Sequence, residues 1–337
     1  MTVTVTGASG HVGANLVRAL VSGGKRVRVL IHVNKHPLEG LDVEIVYGNI
    51  CDLKSLNEAF GDTVVVYHLA ADISLAAGNW DQVESVNVLG TRNVVDACLN
   101  NQVKRLVHFS SIHALDHKHK AGTLDESCPL GESLECLPYN RSKALAEREV
   151  YQGIERGLNA VIVRPTAIVG PYDFQPSYFG EVLLSLAKGK LPAIVAGGFD
   201  WVDVRDVVRG AIQVGDNARA GSNYLLSGHW ATLREVASLV QDITGVKAPG
   251  LVCPLWLAGI GAPLAASWSK MMGKHPLYST FSINTLRSSR MVSHEKATRE
   301  LNYDPRPLRE TIEDTLRWFR ETGQITYPLK SSLPEKV

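Results

Sequence analysis

Apolar, β-branched runs alternate with amphipathic stretches along the first half of the chain. The runs predict strands at Val3 to Thr6, Arg26 to Ile31, Val43 to Val46, Val64 to His68, Leu106 to Phe109 and Ala160 to Val163. Helices are predicted between them, at His11 to Ser22, Leu53 to Phe60, Trp80 to Asn100 and Pro138 to Arg156. Strands that are apolar almost throughout have helices over both faces. The pattern therefore predicts an α/β fold with a doubly wound parallel sheet, a Rossmann fold.

The pattern loosens after Gly170, where Pro and Gly become frequent. Helices are predicted there at Ser177 to Lys188, Asp203 to Val214, Thr232 to Thr244 and Arg306 to Glu321. We expect a dinucleotide-binding Rossmann domain over 1–172, to which 199–227 returns. A smaller, mostly helical C-terminal substrate lobe is expected over 173–198 and 228–325, followed by a tail at 326–337.

Composition narrows the functional classes. The 337 residues carry a net charge of +1 without a long basic block, so nothing electrostatic points to nucleic acid. Five dispersed cysteines lack metal-ligand spacing, so we expect no metal site and a reducing compartment. A strand pattern that starts at Thr2 leaves no room for a signal peptide, which predicts a cytoplasmic protein. Pro254 and Gly259 interrupt the uncharged run Leu251 to Ser269, which favours a pocket wall or partner interface over a membrane span.

The first predicted strand runs into a glycine-rich loop that opens the first helix. The G-x-x-G-x-x-G spacing at Gly7, Gly10 and Gly13 is close to that of dinucleotide-binding turns. Gly7 permits the tight turn, and Gly10 lets a pyrophosphate approach the backbone. Gly13 allows the helix to pack closely on the sheet. Backbone N–H groups at the helix start hold phosphate oxygens. We therefore assign the loop to cofactor binding, together with its other residues Ser9, His11 and Val12.

The end of the second strand contacts the ribose of such a cofactor. An NAD site has Asp or Glu there, whereas this chain has no acid until Glu39. A carboxylate would repel a 2′-phosphate, but His32 and Lys35 can accept one. The sequence thus favours NADP(H) over NAD(H). The alternative is that both basic residues are ordinary surface residues.

A tyrosine and a lysine stand four residues apart near the start of the helix Pro138 to Arg156. Tyr139 and Lys143 share one helical face, and we expect the ammonium to lower the pKa of the phenol toward working pH. The pair makes a general acid/base. Ser110 and Ser111 follow the strand Leu106 to Phe109, at the sheet edge where ligands of open α/β folds bind. A serine there can donate to a substrate oxygen.

Almost end to end, these pieces resemble the extended short-chain dehydrogenase/reductase family, which includes NAD-dependent epimerases and dehydratases. The matching motifs are Thr6 to Gly13, Gly48 to Asp52, His68 to Ala71, Val86 to Thr91, Ser110-Ser111, Tyr139 to Lys143, Arg164 to Thr166 and Gly170-Pro171. Within that family the chain looks most like dihydroflavonol-reductase-like and 3β-hydroxysteroid-dehydrogenase-like reductases.

The resemblance implies roles by position. Ser111 would orient the carbonyl beside Tyr139 and Lys143, and Asn87 would complete a proton relay. Asn49 stands where the family usually has Asp. The implied cofactor contacts are Asn49, Ile50, Ala70, Ala71, Tyr139, Lys143, Pro165 and Ile168. A homodimer through the helices that contain Asn87 and Tyr139 is implied as well.

The leading interpretation is an NADP(H)-dependent oxidoreductase that moves a hydride between nicotinamide and the carbonyl or alcohol of a hydrophobic small molecule. Candidate substrate contacts are His113, Tyr172, Phe174 and Tyr178, although the aromatic residues also fit a lobe core. Two other hypotheses stay open: an NAD-dependent nucleotide-sugar epimerase or dehydratase, and a non-catalytic dinucleotide sensor. The missing acid after the second strand argues against the former, and the Tyr139–Lys143 pair against the latter.

Overall fold

The computed structural model describes residues 1–73, 80–116, 122–257 and 291–327. The strands in these ranges are β1 Thr2–Thr6, β2 Arg26–Ile31, β3 Glu44–Tyr47, β4 Thr63–His68, β5 Arg105–Phe109, β6 Ala160–Pro165, β7 Ala167–Val169, β8 Ala193–Val195, β9 Gly198–Asp203, β10 Asn223–Leu226, β11 His229–Thr232 and β12 Leu251–Cys253. The α-helices are α1 His11–Ser22, α2 Leu53–Ala59, α3 Trp80–Val83, α4 Gly90–Asn100, α5 Pro138–Glu155, α6 Tyr178–Ala187, α7 Val204–Asn217, α8 Leu233–Thr244, α9 Glu295–Leu301 and α10 Leu308–Glu321.

The chain divides into two compact units. The first consists of Met1–Thr166, Val204–Ser227 and Met291–Pro305, and the second of Ala167–Asp203 with the described parts of Gly228–Arg290 and Arg306–Val337. Helix α7 and strand β10 thus return to the first unit. Helix α9 also lies in the first unit, although the sequence places it in the substrate lobe. It packs on α7 and β10, and the hydroxyl of Tyr224 donates to Glu300 at 2.8 Å.

A seven-stranded sheet forms the centre of the first unit. Its order is β10-β6-β5-β4-β1-β2-β3, and all neighbouring strands are parallel. Strands β1 and β6 are buried along their whole length. Strand β1 alternates Thr with Val, and β6 is apolar except for Arg164. A core that includes Leu56, Phe60 and Ile162 joins α2, α4 and α5 to the sheet. The predicted Rossmann fold is confirmed, and the carboxyl ends of β1, β4 and β5 lead into the glycine loop, Ala70 and Ser111.

The helix predicted over Trp80 to Asn100 is not one regular α-helix. Between α3 and α4, Glu84–Leu89 is π-helical. Single-turn π segments inside α-helices are rare and occur frequently at functional sites. This one carries Asn87, whose side chain is fully buried.

The second unit combines helices with two small sheets. The sheets are ordered β11-β9-β7 and β12-β8, and α6, α8 and α10 pack on one another around a core that includes Phe199, Trp201 and Phe319. The capping box expected at Thr232 is present, with Glu235 N donating to the Thr232 hydroxyl at 3.1 Å. The sequence did not predict the five strands that the structure describes in this unit. Four of them have only three or four residues, and strands this short show little periodicity.

The uncharged run Leu251 to Ser269 begins with β12, which pairs with β8. From residue 258 onward the run lies outside the described residues. Among the described helices, none is long and apolar enough to cross a membrane.

Candidate active site

The glycine loop is shaped by contacts that only glycine allows. Gly7 has a φ of +70°, and a Cβ there would lie 2.5 Å from the backbone nitrogen of Ala70. A Cβ at Gly13 would collide with the backbone of Gly7 and Ala8. Gly10 is exposed, and its nearest neighbour would be 3.4 Å away. Helix α1 starts directly after Gly10 with no side-chain cap. An uncapped helix start behind a bare backbone fits the pyrophosphate of a dinucleotide.

Ser9 ties this loop to the segment after β2, because its hydroxyl donates to the carbonyl of Asn34. His32 and Lys35 lie in the same segment and are both exposed. Glu39, the first acid after β2, pairs with His36 at 3.1 Å. His32 and Lys35 therefore stand on either side of Asn34, the residue that Ser9 contacts. Glu39 is paired with His36. His11 and Val12 form the half-buried first turn of α1.

The expected adenosine contacts follow β3 and β4. Asn49 is exposed, and its side-chain oxygen accepts a hydrogen bond from Cys51 N at 2.9 Å, which forms a turn. The Ile50 side chain packs inward, in the core under α2 and α4. Ala70 and Ala71 are half-buried in the segment after β4. Small side chains there leave the backbone beside Gly7 accessible.

A buried chain of hydrogen bonds passes through His68. Thr91 Oγ1 donates to the Asn87 carbonyl at 2.6 Å, so it accepts from His68 Nε2, which lies 3.1 Å away. Thr6 Oγ1 then donates to His68 Nδ1 at 2.8 Å and accepts from Ala70 N at 3.4 Å. Every donor has an acceptor when His68 is neutral. Burial, followed by the charge of Lys143, lowers its pKa to about 3, which agrees with a neutral ring. These hydrogen bonds join the end of β1 to the π-helical segment.

The Asn87 side chain connects that segment to α5. Its Nδ2 donates to the Asp72 carbonyl and to Ser142 Oγ, both at 2.9 Å, while its Oδ1 accepts from Asp72 N at 2.7 Å. Ser142 Oγ in turn donates to the carbonyl of Tyr139 at 2.8 Å. These bonds use both N–H groups of the Asn87 amide and one lone pair of its oxygen. The side chain therefore holds the Asp72 segment and α5 in place, and its part in a proton relay stays a prediction.

Ser111, Tyr139 and Lys143 come together where β5 meets α5. All three side chains are buried, and the hydroxyls of Ser111 and Tyr139 are hydrogen-bonded to each other. Ser111 Oγ also accepts from His113 N at 3.2 Å. Lys143 Nζ donates to the Phe109 carbonyl at 3.0 Å. The ring of His113 meets the Tyr139 ring edge-on, at 6.1 Å between centroids.

The expectation that Lys143 lowers the pKa of Tyr139 is wrong for this structure. Burial raises the pKa of Tyr139 to about 12, and the hydrogen bond with Ser111 opposes this only in part. Burial also lowers the pKa of Lys143 to about 8, against the charge of Glu147, which raises it. Helical spacing identifies neighbours but not their burial, and here loss of hydration has the larger effect. The phenol is therefore the protonated form at neutral pH.

The remaining candidates lie in both units. Pro165 ends β6 in the first unit, whereas Ile168 lies in β7 of the second. In the second unit, Tyr172 is partly exposed and has a φ of +61°, which is uncommon for a bulky residue. Its ring lies near those of Phe174 and Trp318, at 6.3 and 6.2 Å. The Tyr178 ring packs against Phe179 at 5.1 Å.

Sequence reasoning missed several residues around these positions. Trp318 completes the aromatic cluster with Tyr172 and Phe174, but a tryptophan in a helix near the end of the chain carries no local sign of this. Glu147 and Arg164 form a buried ion pair under α5. The signal for Glu147 was its spacing, one further turn beyond Tyr139 and Lys143. In the part of the chain that the structure describes, no group of acidic, histidine and cysteine side chains has metal-site geometry.

Comparison with known proteins agrees with this geometry. Residues 3–226 match the model of the NAD dependent epimerase/dehydratase family. The chain is 36% identical to sterol demethylase protein B of Methylococcus capsulatus over 96% of its own length and 100% of that protein. It is 29% identical to 2-alkyl-3-oxoalkanoate reductase of Stenotrophomonas maltophilia, over 96% and 99%. The crystal structure of gox2253 superposes with a TM-score of 0.84 at 31% identity, over 96% and 99%.

Together, the parallel sheet, its glycine loop and the match over most of the first unit define a dinucleotide-binding Rossmann protein of the short-chain dehydrogenase/reductase class. Within that class, the chain belongs to the NAD-dependent epimerase/dehydratase family, among its extended members. The resemblance predicted from the sequence is confirmed. Its relatives are named as reductases and demethylases, so the protein is an oxidoreductase of the NAD(P)-binding type.

Proposed function

We propose that the protein reduces the carbonyl group of a hydrophobic small molecule with NADPH, and that Tyr139 supplies the proton. The observation that carries this proposal is the buried hydrogen bond between Ser111 and Tyr139, with Lys143 one helical turn away and held on the Phe109 carbonyl. A hydroxyl that is held protonated and bonded to a second hydroxyl is suited to give a proton to a developing alkoxide. Both hydroxyls lie at the carboxyl end of a central strand, where ligands of this fold bind.

The residues of the site have separate roles in the proposed reaction. Ser111 bonds and orients the substrate oxygen, and Tyr139 gives its proton to that oxygen as charge builds there. The ammonium of Lys143, held on the Phe109 carbonyl, adds a positive charge nearby. The nicotinamide, when bound, supplies the hydride. Asn87 and Ser142 keep α5, and hence Tyr139, in place. The raised pKa of Tyr139 keeps the phenol protonated at neutral pH, which is the form that donates a proton in reduction.

For the cofactor we propose NADP(H) over NAD(H). The support is local: His32 and Lys35 are exposed beside the Ser9–Asn34 contact, and Glu39 is paired with His36. Replacing Lys35 by Ala is expected to raise KM for NADPH about tenfold while leaving KM for NADH unchanged. The matched control is Lys25→Ala, another exposed lysine beside β2. An equal rise for both cofactors would show that Lys35 does not bind the 2′-phosphate.

For the substrate we propose an apolar ketone, such as a 3-oxosteroid or a 3-oxoalkanoate with a long chain. The support is the aromatic cluster of Tyr172, Phe174 and Trp318, together with relatives named for sterol and alkyl-oxoalkanoate substrates. Aromatic side chains bury large apolar ligand surfaces and leave few polar groups to satisfy. A homodimer and a cytoplasmic location stay predictions.

The test is a nicotinamide absorbance assay with a panel of aldehydes, apolar ketones, steroids and sugar nucleotides, with NADPH and NADH in parallel. Tyr139→Phe is expected to lower turnover about 10²- to 10⁴-fold and to leave NADPH binding intact, as measured by cofactor fluorescence. Tyr47→Phe, at a tyrosine that is 62% exposed, is the control. Unchanged turnover in Tyr139→Phe would rule out the mechanism.

An epimerase or dehydratase of sugar nucleotides is the second candidate, because the family model that matches is described by those activities. Such an enzyme would return its hydride within one catalytic cycle and would not consume NADPH. The same assay separates the two. Turnover of a sugar nucleotide without net change in nicotinamide absorbance would favour this candidate over the reductase, and cofactor binding without any turnover would favour a sensor.

A further inference from the structure

Three buried side chains form one stripe along α5. Tyr139, Lys143 and Glu147 are spaced by one turn each, and their exposed fractions are 8%, 6% and 0%. Lys143 and Glu147 attach the helix to neighbouring strands of the sheet. Lys143 Nζ donates to the carbonyl of Phe109 in β5, at 3.0 Å, and Glu147 pairs with Arg164 in β6. The helix is therefore held at two successive turns below Tyr139.

The second attachment is a complete ion pair. Arg164 Nε and Nη2 donate to the two carboxylate oxygens of Glu147 at 2.8 and 2.6 Å, and Nη1 donates to Asn223 Oδ1 at 2.9 Å. Their side chains are 3% and 0% exposed. A pair buried this deeply is weak evidence for a role in stability, because desolvation offsets much of its attraction. Its place beside Lys143 suggests an electrostatic role instead.

The groups around Lys143 differ in the sign of their charge. Tyr139 on α5 is a neutral phenol. His68 in β4 and His108 in β5 are rings whose pKa values are lowered first by burial and to a smaller extent by the charge of Lys143. Arg164 lies behind Glu147 and carries the same sign as Lys143. Glu147 is the group whose charge raises the pKa of Lys143. Among the described residues, Glu147 is thus the one carboxylate whose charge acts on the buried ammonium, and the other groups named here are neutral or positive.

We propose that Glu147, held in place by Arg164, is a positioning residue for the proposed catalytic pair. It supplies the negative charge that stabilises the Lys143 ammonium and anchors α5 one turn beyond it. The proposal rests on the proposed function only in taking Lys143 to act as a cation. The two hydrogen bonds from Arg164 hold the carboxylate in one rotamer, so that its position relative to Lys143 is fixed.

The experiment titrates Lys143 directly in the full-length protein, by NMR of the ¹³Cε-labelled lysines, with Lys143→Arg to assign its resonance. Glu147→Gln is expected to lower the pH at which Lys143 titrates by about one unit, the lower end of the effect of an opposite charge within about 4–6 Å. Because Glu147→Gln leaves Arg164 buried without its partner, the double variant Glu147→Gln with Arg164→Gln is titrated as well. It removes both charges and is expected to shift Lys143 in the same direction.

Glu149→Gln is the matched control. Glu149 lies on the same helix and accepts a bidentate pair from Arg92 at 2.9 and 2.8 Å, but the Arg92 side chain is 52% exposed. Its substitution should leave Lys143 unchanged. In the pH profile of carbonyl reduction, the alkaline limb should move down by about one unit in the Glu147 variants only.

The two proposals fail in different ways. If Lys143 titrates at the wild-type pH in both Glu147 variants, or if Glu149→Gln shifts it equally, the role of Glu147 is overturned. If Lys143 shifts as expected but Tyr139→Phe keeps full turnover, the role of Glu147 in holding the ammonium stands and the proposed reaction mechanism falls.

Discussion

The two units bury different kinds of side chains. In the first unit, several polar groups of the site are buried and paired with one another, as in the chain of hydrogen bonds through Thr6, His68 and Thr91, although the ring nitrogens of His108 have no hydrogen-bond partner among the described residues. In the second, the site candidates are partly buried or exposed aromatic rings in edge and tilted contacts, such as Phe174 with Trp318 at 5.3 Å. Buried hydrogen bonds have one satisfied arrangement, whereas ring contacts tolerate small shifts. The difference suggests fixed chemistry in one unit and adaptable recognition in the other.

The largest test of this contrast compares two glycines. A Cβ at Gly13 would collide with the backbone of Gly7 and Ala8, whereas one at Gly250 in the second unit meets nothing within 4 Å. Gly13→Ala is expected to cost about 1–3 kcal/mol of unfolding free energy and to abolish measurable NADPH binding. Gly250→Ala should stay within about 0.5 kcal/mol of the wild type.

Urea unfolding and cofactor fluorescence measure both effects. Equal losses in the two variants would mean that the first unit is no more tightly specified than the second. Retained NADPH affinity in a folded Gly13→Ala protein would contradict the cofactor-binding role of the loop.

The sequence predicts the elements of the first unit better than those of the second. Helix α1 was predicted with both of its ends, since Gly10 and the apolar period mark it locally. The π-helical segment around Asn87 was missed, because one extra residue per turn leaves no sign in a hydrophobic pattern. The small sheets of the second unit were missed because their strands are held by tertiary contacts. Motifs located Tyr139 and Lys143, but the burial that sets their pKa values depends on the packing of α5.

A smaller effect is expected from acid. The pKa of His68 is lowered to about 3 by burial and then by the charge of Lys143. A group whose folded pKa is depressed stabilises the protein above its unfolded pKa, near 6.5, and this stability is lost as pH falls toward 3. Between pH 7 and pH 5 the loss from His68 alone is expected to be about 2 kcal/mol.

Urea unfolding at the two pH values checks this expectation. His68→Gln should remove that part of the pH dependence, since Gln does not titrate. His229→Gln, at an exposed histidine of the second unit, should leave it intact. The same loss in wild-type protein and His68→Gln would show that His68 is not held neutral by the chain through Thr6 and Thr91.

The smallest expected effect concerns Tyr172, whose backbone conformation is constrained although its ring contacts tolerate small shifts. Its left-handed backbone, with a φ of +61°, costs a non-glycine residue roughly 1 kcal/mol. Tyr172→Gly is therefore expected to relieve strain and to lose ring contacts with Phe174 and Trp318, with a net change of unfolding free energy below about 1 kcal/mol.

If the Tyr172 ring binds substrate, Tyr172→Gly should raise KM for an apolar ketone while kcat stays near the wild-type value, since Ser111 and Tyr139 lie in the other unit. Tyr172→Phe keeps the ring and should restore the wild-type KM, which separates apolar contact from any bond to the hydroxyl. A fall in kcat with unchanged KM would place Tyr172 with the chemistry instead of recognition, and the contrast between the units would not hold at this position.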